Sequence, residues 1–172
     1  QKDPDKLEYL MEMGTFYYNK GNYAEAVKYF EKARPQIPTN IDNLMNISAC
    51  YYELKDFEKA MSATKTALEI EPNNVDLLDN ARSIAAQLND IDQAIFYLKK
   101  LLDIRPNEDD FSLLATYLYN KQNWQELIKY AEQWYNWDKS NKIAVEYIIW
   151  AAQQTGNKQL ETKYTAIKKT MP

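Results

Sequence analysis

The stretch GNYAEA at residues 21–26 returns as KDFEKA at 55–60 and as NDIDQA at 89–94, 34 residues further along each time. A fourth copy has one residue fewer and contains NWQEL at 123–127, and TGN at 155–157 marks a fifth. A fixed period between 20 and 50 residues is typical of proteins built from stacked repeats. The sequence therefore predicts five similar structural repeats.

Each repeat is predicted to form two helices, because apolar and small residues recur at spacings of three and four residues. In the first repeat Gly14 and Tyr17 share one helix face, and Ala26 and Phe30 share a face of the next helix. The segment NKGN at 19–22 indicates the turn between them. The predicted helix pairs are 5–19 with 22–35, 40–53 with 56–70, 74–87 with 90–103, 108–120 with 123–136, and 141–154 with 157–169.

Proline and asparagine mark the predicted helix ends with the same period. Proline lacks an N–H group and biases the residue before it away from helical angles, so it stops a helix. Asparagine is a favoured N-cap residue, so it indicates where the next helix begins. The prolines are Pro38, Pro72 and Pro106, and the asparagines are Asn40, Asn74 and Asn107.

The composition excludes most catalytic and metal-binding chemistry. The 172 residues contain no histidine, which excludes Ser–His and Cys–His catalysis and zinc sites built on histidine. Three glycines do not make a phosphate-binding loop, and the single Cys50 cannot form an internal disulfide. The carboxylates are scattered at repeat spacing without a convergent partner. We therefore expect no enzyme activity, no cofactor and no metal.

Charge and hydropathy exclude two further classes of partner. The net charge is −4 and the basic residues form no stripe, which argues against nucleic-acid binding. No apolar run approaches the roughly 18 residues of a membrane span. The start at Gln1 and the Asn-, Lys- and Tyr-rich composition favour an exported bacterial protein over a cytoplasmic one, while a single cysteine does not decide the compartment.

The chain resembles the tetratricopeptide repeat family over essentially its whole length, most closely at residues 7–40. The resemblance rests on these residues of the first repeat: Leu10, Gly14, Tyr17, Gly21, Tyr23, Ala26, Phe30, Ala33 and Pro38. It implies an all-α, right-handed superhelical solenoid of stacked antiparallel helix pairs and a non-catalytic scaffold or adaptor role. The domain would be 1–172, with repeats at about 7–40, 41–74, 75–107, 108–140 and 141–172, the last acting as a cap.

In this family the first helix of each pair lines the inner, concave surface, and the repeat register predicts which residues face it. Over all five repeats the predicted inner positions hold neither lysine nor arginine. They hold eight acidic residues, which are Glu8, Glu12, Asp42, Glu53, Asp76, Asp79, Asp109 and Glu146. We expect them to bind a protein or peptide, as an extended segment or a helix, of basic or amide-rich character. The predicted contact residues are Glu8, Met11, Glu12, Thr15, Tyr18, Asn19, Asp42, Met45, Asn46, Tyr52, Glu53, Asp79, Asn80 and Tyr119.

Structural explanations compete with this functional one. Asp42, Asp76 and Asp109 lie in predicted first turns, where the helix dipole favours negative charge. Tyr18 and Tyr52 hold equivalent positions and could serve only to pack on the neighbouring repeat. Both explanations stay open at the level of sequence.

The best-known ligand mode of the family, a clamp on a C-terminal carboxylate, is not expected here. That clamp uses lysine and arginine from several inner helices together with asparagine. The corresponding basic positions hold Met11, Asp76 and Asn80, and only Asn46 matches an asparagine position.

The C-terminal third is rich in aromatic residues. Trp134 occupies the position of Ala33 and Ala67, so the interface there is expected to be reshaped or open on one side. Trp137 and Trp150 are the predicted exposed members of a second contact patch, which would serve a partner or a second copy of the chain. A self-associating module, or a purely structural part of a larger assembly, is therefore the alternative function.

Overall fold

Helices fill most of residues 6–171, the part of the chain that the computed structural model describes. This part contains ten α-helices, a short 3-10 helix at Arg34–Gln36, and no strand. The α-helices are α1 Leu7–Asn19, α2 Tyr23–Ala33, α3 Ile41–Glu53, α4 Phe57–Ile70, α5 Val75–Gln87, α6 Ile91–Ile104, α7 Glu108–Asn120, α8 Trp124–Trp137, α9 Lys142–Gln154 and α10 Lys158–Thr170.

The predicted all-α fold of consecutive helix pairs is confirmed. Most predicted helices begin one residue early, because the prediction counted the N-cap residue. The prediction for α2 is wrong at its end: the helix stops at Ala33 and tightens into the 3-10 turn, because Pro35 has no N–H to continue the ladder. The predicted helix start at residue 5 and the repeat end at residue 172 lie outside the described residues.

The predicted asparagine caps are present at all three positions. The side-chain oxygens of Asn40, Asn74 and Asn107 each accept a backbone N–H bond from the first turn of the following helix, at 2.8, 3.0 and 2.9 Å. The second helices use the same device, with Asn22 on α2 and Asn123 on α8. Each cap satisfies an N–H group that the helix itself leaves unpaired, so the caps fix where each helix begins.

The turn inside each helix pair needs one residue in the left-handed region. The residues at this position have φ between 55° and 71°, and they are Gly21, Lys55, Asn89, Gln122 and Gly156. Glycine adopts this conformation without cost, whereas lysine and glutamine are strained there. The turn geometry is therefore imposed by packing of the helix pair in the repeats that lack glycine.

The contacts divide the chain into two compact units, with the boundary inside α6 between Tyr97 and Leu98. In the first unit each helix from α1 to α5 packs on the next one. In the second unit α7, α8, α9 and α10 pack in the same consecutive way. The assignment of one domain to residues 1–172 stays a prediction.

Inside the first two helix pairs of the first unit, the facing side chains are matched in size or in hydrogen bonding. A Cβ placed on Gly14 of α1 would lie 2.5 Å from Cε1 of Phe30 on α2, so glycine makes room for the ring. One repeat later the same positions hold Ser48 and Thr64, whose buried hydroxyls are hydrogen-bonded at 2.7 Å. In both pairs the two side chains fit together, as close packing of a protein interior requires.

Candidate functional site

The predicted contact residues of the first unit lie on the first helix of each pair. We call them the first-unit face. Its members are Glu8, Met11, Glu12, Thr15, Tyr18 and Asn19 on α1, Asp42, Met45, Asn46, Tyr52 and Glu53 on α3, and Asp79 and Asn80 on α5.

The α1 part of this face is an open groove of about 580 Å³. Five of the six predicted α1 residues line it, and Phe16 completes it with half of its surface exposed, 52%. Sequence reasoning gave Phe16 no role. The repeat register could have indicated Phe16. The equivalent residues of the next two repeats, Cys50 and Ile84, are buried, whereas the Phe16 ring in the first repeat is exposed.

Tyr18 joins α1 to the next repeat. Its ring meets Tyr23 edge-on at a centroid distance of 5.2 Å, and it packs on the buried cluster that contains Ile47. Burial raises the pKa of the Tyr18 hydroxyl, and nearby Glu53 on α3 contributes to the rise. The packing explanation for this tyrosine therefore has structural support, while the half-buried ring still forms part of the surface.

A second recess of about 270 Å³ lies between α3 and α5. It brings together three predicted residues, namely Tyr52, Glu53 and Asn80. The Tyr52 ring meets Phe57 edge-on at 5.4 Å, as Tyr18 meets Tyr23 one repeat earlier. The recess thus combines an aromatic wall, a carboxylate and an amide within one cleft.

The remaining predicted residues contribute less. Asp42 is exposed in the first turn of α3, and Asn46 is half-buried. Met45 packs against the buried cluster of Leu44, Ala67 and Leu77, so it is largely structural.

Arg82 makes the face less acidic than the count of inner positions suggested. Its guanidinium lies 3.2 Å from Asp79, three residues earlier on α5. Sequence counting missed this neutralisation, because Arg82 does not occupy an inner position itself but its long side chain reaches one.

In the second unit the aromatic ring contacts around Trp150 are separate from those around Trp137. Trp150 lies 4.4 Å from Tyr119 and 4.8 Å from Trp124, measured between ring centroids. Trp137 is 50% exposed and contacts Phe111. Phe111 lies near the start of α7 and Tyr119 near its end, about 12 Å apart along the helix axis. Trp137 and Trp150 therefore contact different rings, and a second contact patch that includes both stays a prediction.

The single cysteine, Cys50, is buried and forms no disulfide. Burial raises the pKa of the Cys50 thiol to about 11, so the thiol is protonated at neutral pH. Between residues 6 and 171, no group of three or more Cys, Asp or Glu side chains could hold a metal ion. No helix in this range is both long and apolar enough to cross a bilayer.

Successive helix pairs with side-chain caps at the helix starts and one left-handed turn in each pair define a helical-repeat protein. Models described as tetratricopeptide repeat match residues 1–83 and 83–108. The chain belongs to the tetratricopeptide repeat family. Domains of this family are generally protein–protein interaction modules and are typically non-catalytic.

Solved structures share the fold at low sequence identity. A crystal structure of MamA protein matches 94% of this chain and 89% of its own, with a TM-score of 0.65 and 16% identity. A tetratricopeptide repeat protein from Parabacteroides merdae ATCC 43184 matches 92% of this chain and 63% of its own, with a TM-score of 0.66 and 17% identity.

A third structure contains a peptide. The first TPR of Spaghetti (RPAP3) bound to HSP90 peptide SRMEEVD matches 69% of this chain and 98% of its own, with a TM-score of 0.56 and 22% identity. These likenesses show the fold alone. No curated protein matches the sequence.

Proposed function

We propose that the chain is a non-catalytic protein-interaction scaffold whose first-unit face binds a basic or amide-rich peptide or helix of a partner protein. The observation that carries the proposal is the recess between α3 and α5, where Tyr52, Glu53 and Asn80 converge. Tyrosine supplies rigid contact area at low entropic cost. The carboxylate attracts cationic groups, and the amide can pair with a peptide backbone.

The α1 groove extends the same chemistry. Glu8 and Glu12 border it, and Met11 and Phe16 supply apolar surface. A partner segment with alternating apolar and cationic side chains would complement this groove. Asp79 is paired with Arg82, and Glu8 lies 3.1 Å from Lys6, so the cationic preference rests chiefly on Asp42 and Glu53.

A contrast with the Spaghetti (RPAP3) structure sharpens the proposal. Its peptide, SRMEEVD, contains three acidic residues. The first-unit face has acidic residues of its own and lacks the basic positions of a carboxylate clamp. We therefore expect SRMEEVD to serve as a non-binding control for this chain.

The test is a selection from a random peptide display library on the wild-type protein. Enriched peptides should carry net positive charge, and their affinity should fall as salt rises, because exposed charges are screened. The variant Glu12→Lys with Glu53→Lys should abolish capture. A matched control, Glu58→Lys with Glu69→Lys, makes the same charge change at exposed positions of α4 and should retain it.

The role of the tyrosines is tested separately with Tyr18→Ala and Tyr52→Ala combined. Loss of capture with unchanged helicity by circular dichroism supports the proposed face. Enrichment of acidic peptides would contradict the proposal. So would equal capture by the double variant Glu12→Lys with Glu53→Lys and the control double variant Glu58→Lys with Glu69→Lys.

Self-association is the second candidate function, because aromatic side chains at different places are half-exposed, Phe16, Phe96 and Trp137 among them. Phe16 is 52% exposed on α1 and Trp137 is 50% exposed on α8. Light scattering at two protein concentrations distinguishes the two functions. A mass that grows with concentration, and that Phe16→Ser or Trp137→Ser reduces, supports self-association. A constant monomer mass contradicts it.

A further inference from the structure

The second unit contains a cavity of about 480 Å³ that the first-unit face does not include. Helices α7, α9 and α10 contribute its walls. Tyr119, Tyr147 and Trp150 form an aromatic side, Ile143 adds apolar surface, and Glu146 and Lys168 supply the charges.

Trp150 gives the fifth repeat an aromatic residue that the other repeats lack at this position. The residues at the position of Trp150 in the four earlier repeats are small, and they are Thr15, Ala49, Ser83 and Thr116. The Trp150 ring lies 4.4 Å from Tyr119 with a 34° tilt, and Tyr147 meets Tyr119 edge-on at 6.3 Å. The rings brace one another, so the aromatic side is preorganised before any ligand binds.

Lys168 shows which chemistry the cavity accepts. Its Nζ lies 2.7 Å from Oε1 of Glu146, and both side chains are about half-exposed. The cavity therefore already accommodates an aliphatic stem that ends in a cation held by a carboxylate. A half-exposed ion pair of this kind is weak, so a better cation can displace the lysine.

We propose that this cavity binds an arginine side chain of a partner protein, whose guanidinium displaces Lys168 from Glu146 and stacks on the aromatic side. A guanidinium is planar, pairs with a carboxylate through two parallel bonds, and is less strongly hydrated than an ammonium group. Stacking on tyrosine and tryptophan rings adds cation–π attraction. The site belongs to the second unit and is independent of the first-unit face.

The probe is the capped tripeptide Ala-Arg-Ala, titrated into the ¹⁵N-labelled full chain and followed through the tryptophan indole N–H signals. The Trp150 and Trp124 signals should shift saturably, and Trp137 provides an internal reference outside the cavity. Ala-citrulline-Ala, which keeps the shape but lacks the charge, should bind about fivefold or more weakly. Equal binding of the citrulline peptide would overturn the proposal in favour of a purely apolar pocket.

Two surface variants test the displacement step. Lys168→Met removes the internal competitor and should tighten arginine binding about two- to fivefold, whereas Glu146→Gln should weaken it by a similar factor. Lys169→Met makes the same charge change next to the site and should leave affinity unchanged. Equal effects of Lys168→Met and Lys169→Met would contradict displacement. Circular dichroism checks that the variants remain folded, and variants of the first-unit face should not alter these shifts.

Discussion

The two units place different side chains at the same positions of the helix pair. In the first unit Leu44 and Ala67 share a small buried cluster with Leu77. Their equivalents in the second unit are Phe111 and Trp134, both buried, with rings stacked at 6.0 Å and an interplanar angle of 6°. The position is therefore filled and closed, not open on one side as one of the two expectations for Trp134 had it.

The difference shows that a helix pair accommodates a large gain in volume when both facing residues change together. Phe111 and Trp134 are both larger than the residues they replace, and flat stacking keeps the pair compact. In the first helix pair only one of the two facing residues is large: Gly14 has no side chain, which leaves room for the Phe30 ring. The volumes of two facing residues therefore have to match each other, and neither residue is constrained alone.

The largest expected effect is at Trp134. Trp134→Ala should lower the free energy of unfolding of the second unit by about 3–5 kcal/mol, because it removes a buried ring and leaves a cavity beside Phe111. Native-state hydrogen exchange is the measurement, since it reports the two units separately. Amide protection should fall in α7–α10 far more than in α1–α5.

Trp137→Ala is the matched control, because Trp137 is half-exposed on the same helix. It should cost less than about 1 kcal/mol. If both tryptophan variants lowered protection equally, the difference in packing between the two units would lose its support.

The next effect is at Gly14. Gly14→Ala should destabilise the first unit by about 1–3 kcal/mol, since the new Cβ would lie within 3 Å of the Phe30 ring. Adding Phe30→Leu should recover part of the loss, and the double variant should cost less than the sum of the single ones. Urea unfolding followed by circular dichroism measures this coupling, and strict additivity would show that the two residues do not compensate each other.

A smaller and opposite effect is expected at the turns. Lys55→Gly in the first unit and Gln122→Gly in the second should each raise stability by about 0.5–1 kcal/mol, because they relieve a left-handed lysine and glutamine. Asn89→Gly should change little, since asparagine tolerates this conformation better. Thermal melting compares the three, and a loss of stability in both Lys55→Gly and Gln122→Gly would refute the turn argument.

The smallest effect is a pH dependence at the cap of α4. A hydrogen bond from the Lys59 side chain holds the pKa of Asp56 below its usual range, with further lowering by the Lys59 backbone N–H and charge. A depressed pKa in the folded state stabilises the protein above the unfolded pKa of about 3.9, and that stability is lost as pH falls through the folded value. The measurement is the urea midpoint of unfolding as a function of pH, which should fall at acidic pH, its acid limb. Asp56→Asn, which copies the Asn22 cap, should make this fall shallower. An unchanged acid limb would mean that Asp56 does not contribute.

The features that sequence predicted well are local ones. Asn40, Asn74 and Asn107 cap helices because their short side chains reach only the first turn that follows. Their effect depends on neighbours in sequence, which the repeat period makes easy to recognise. The helix pairs could be predicted for the same reason, because their signals also lie close together in the sequence.

What sequence could not predict depends on side-chain reach and packing. The pairing of Arg82 with Asp79 changes the charge of the first-unit face, and it requires knowing where a long side chain bends. The separation of Trp137 from Trp150 and the stacking of Trp134 depend on rotamers across helices. Single-residue patterns do not carry that information.

One measurement tests the central claim that the first-unit face binds a cationic partner. Because Cys50 is buried with a raised pKa, a cysteine introduced by Thr15→Cys on α1 or by Ser62→Cys on α4 can be labelled selectively with an environment-sensitive dye. On titration with a basic peptide from the display selection, the dye at Thr15 should respond and the dye at Ser62 should not. The response at Thr15 should weaken as salt rises from about 0.05 to 0.5 M. An equal response at Ser62, or a response at Thr15 that does not depend on salt, would contradict the account.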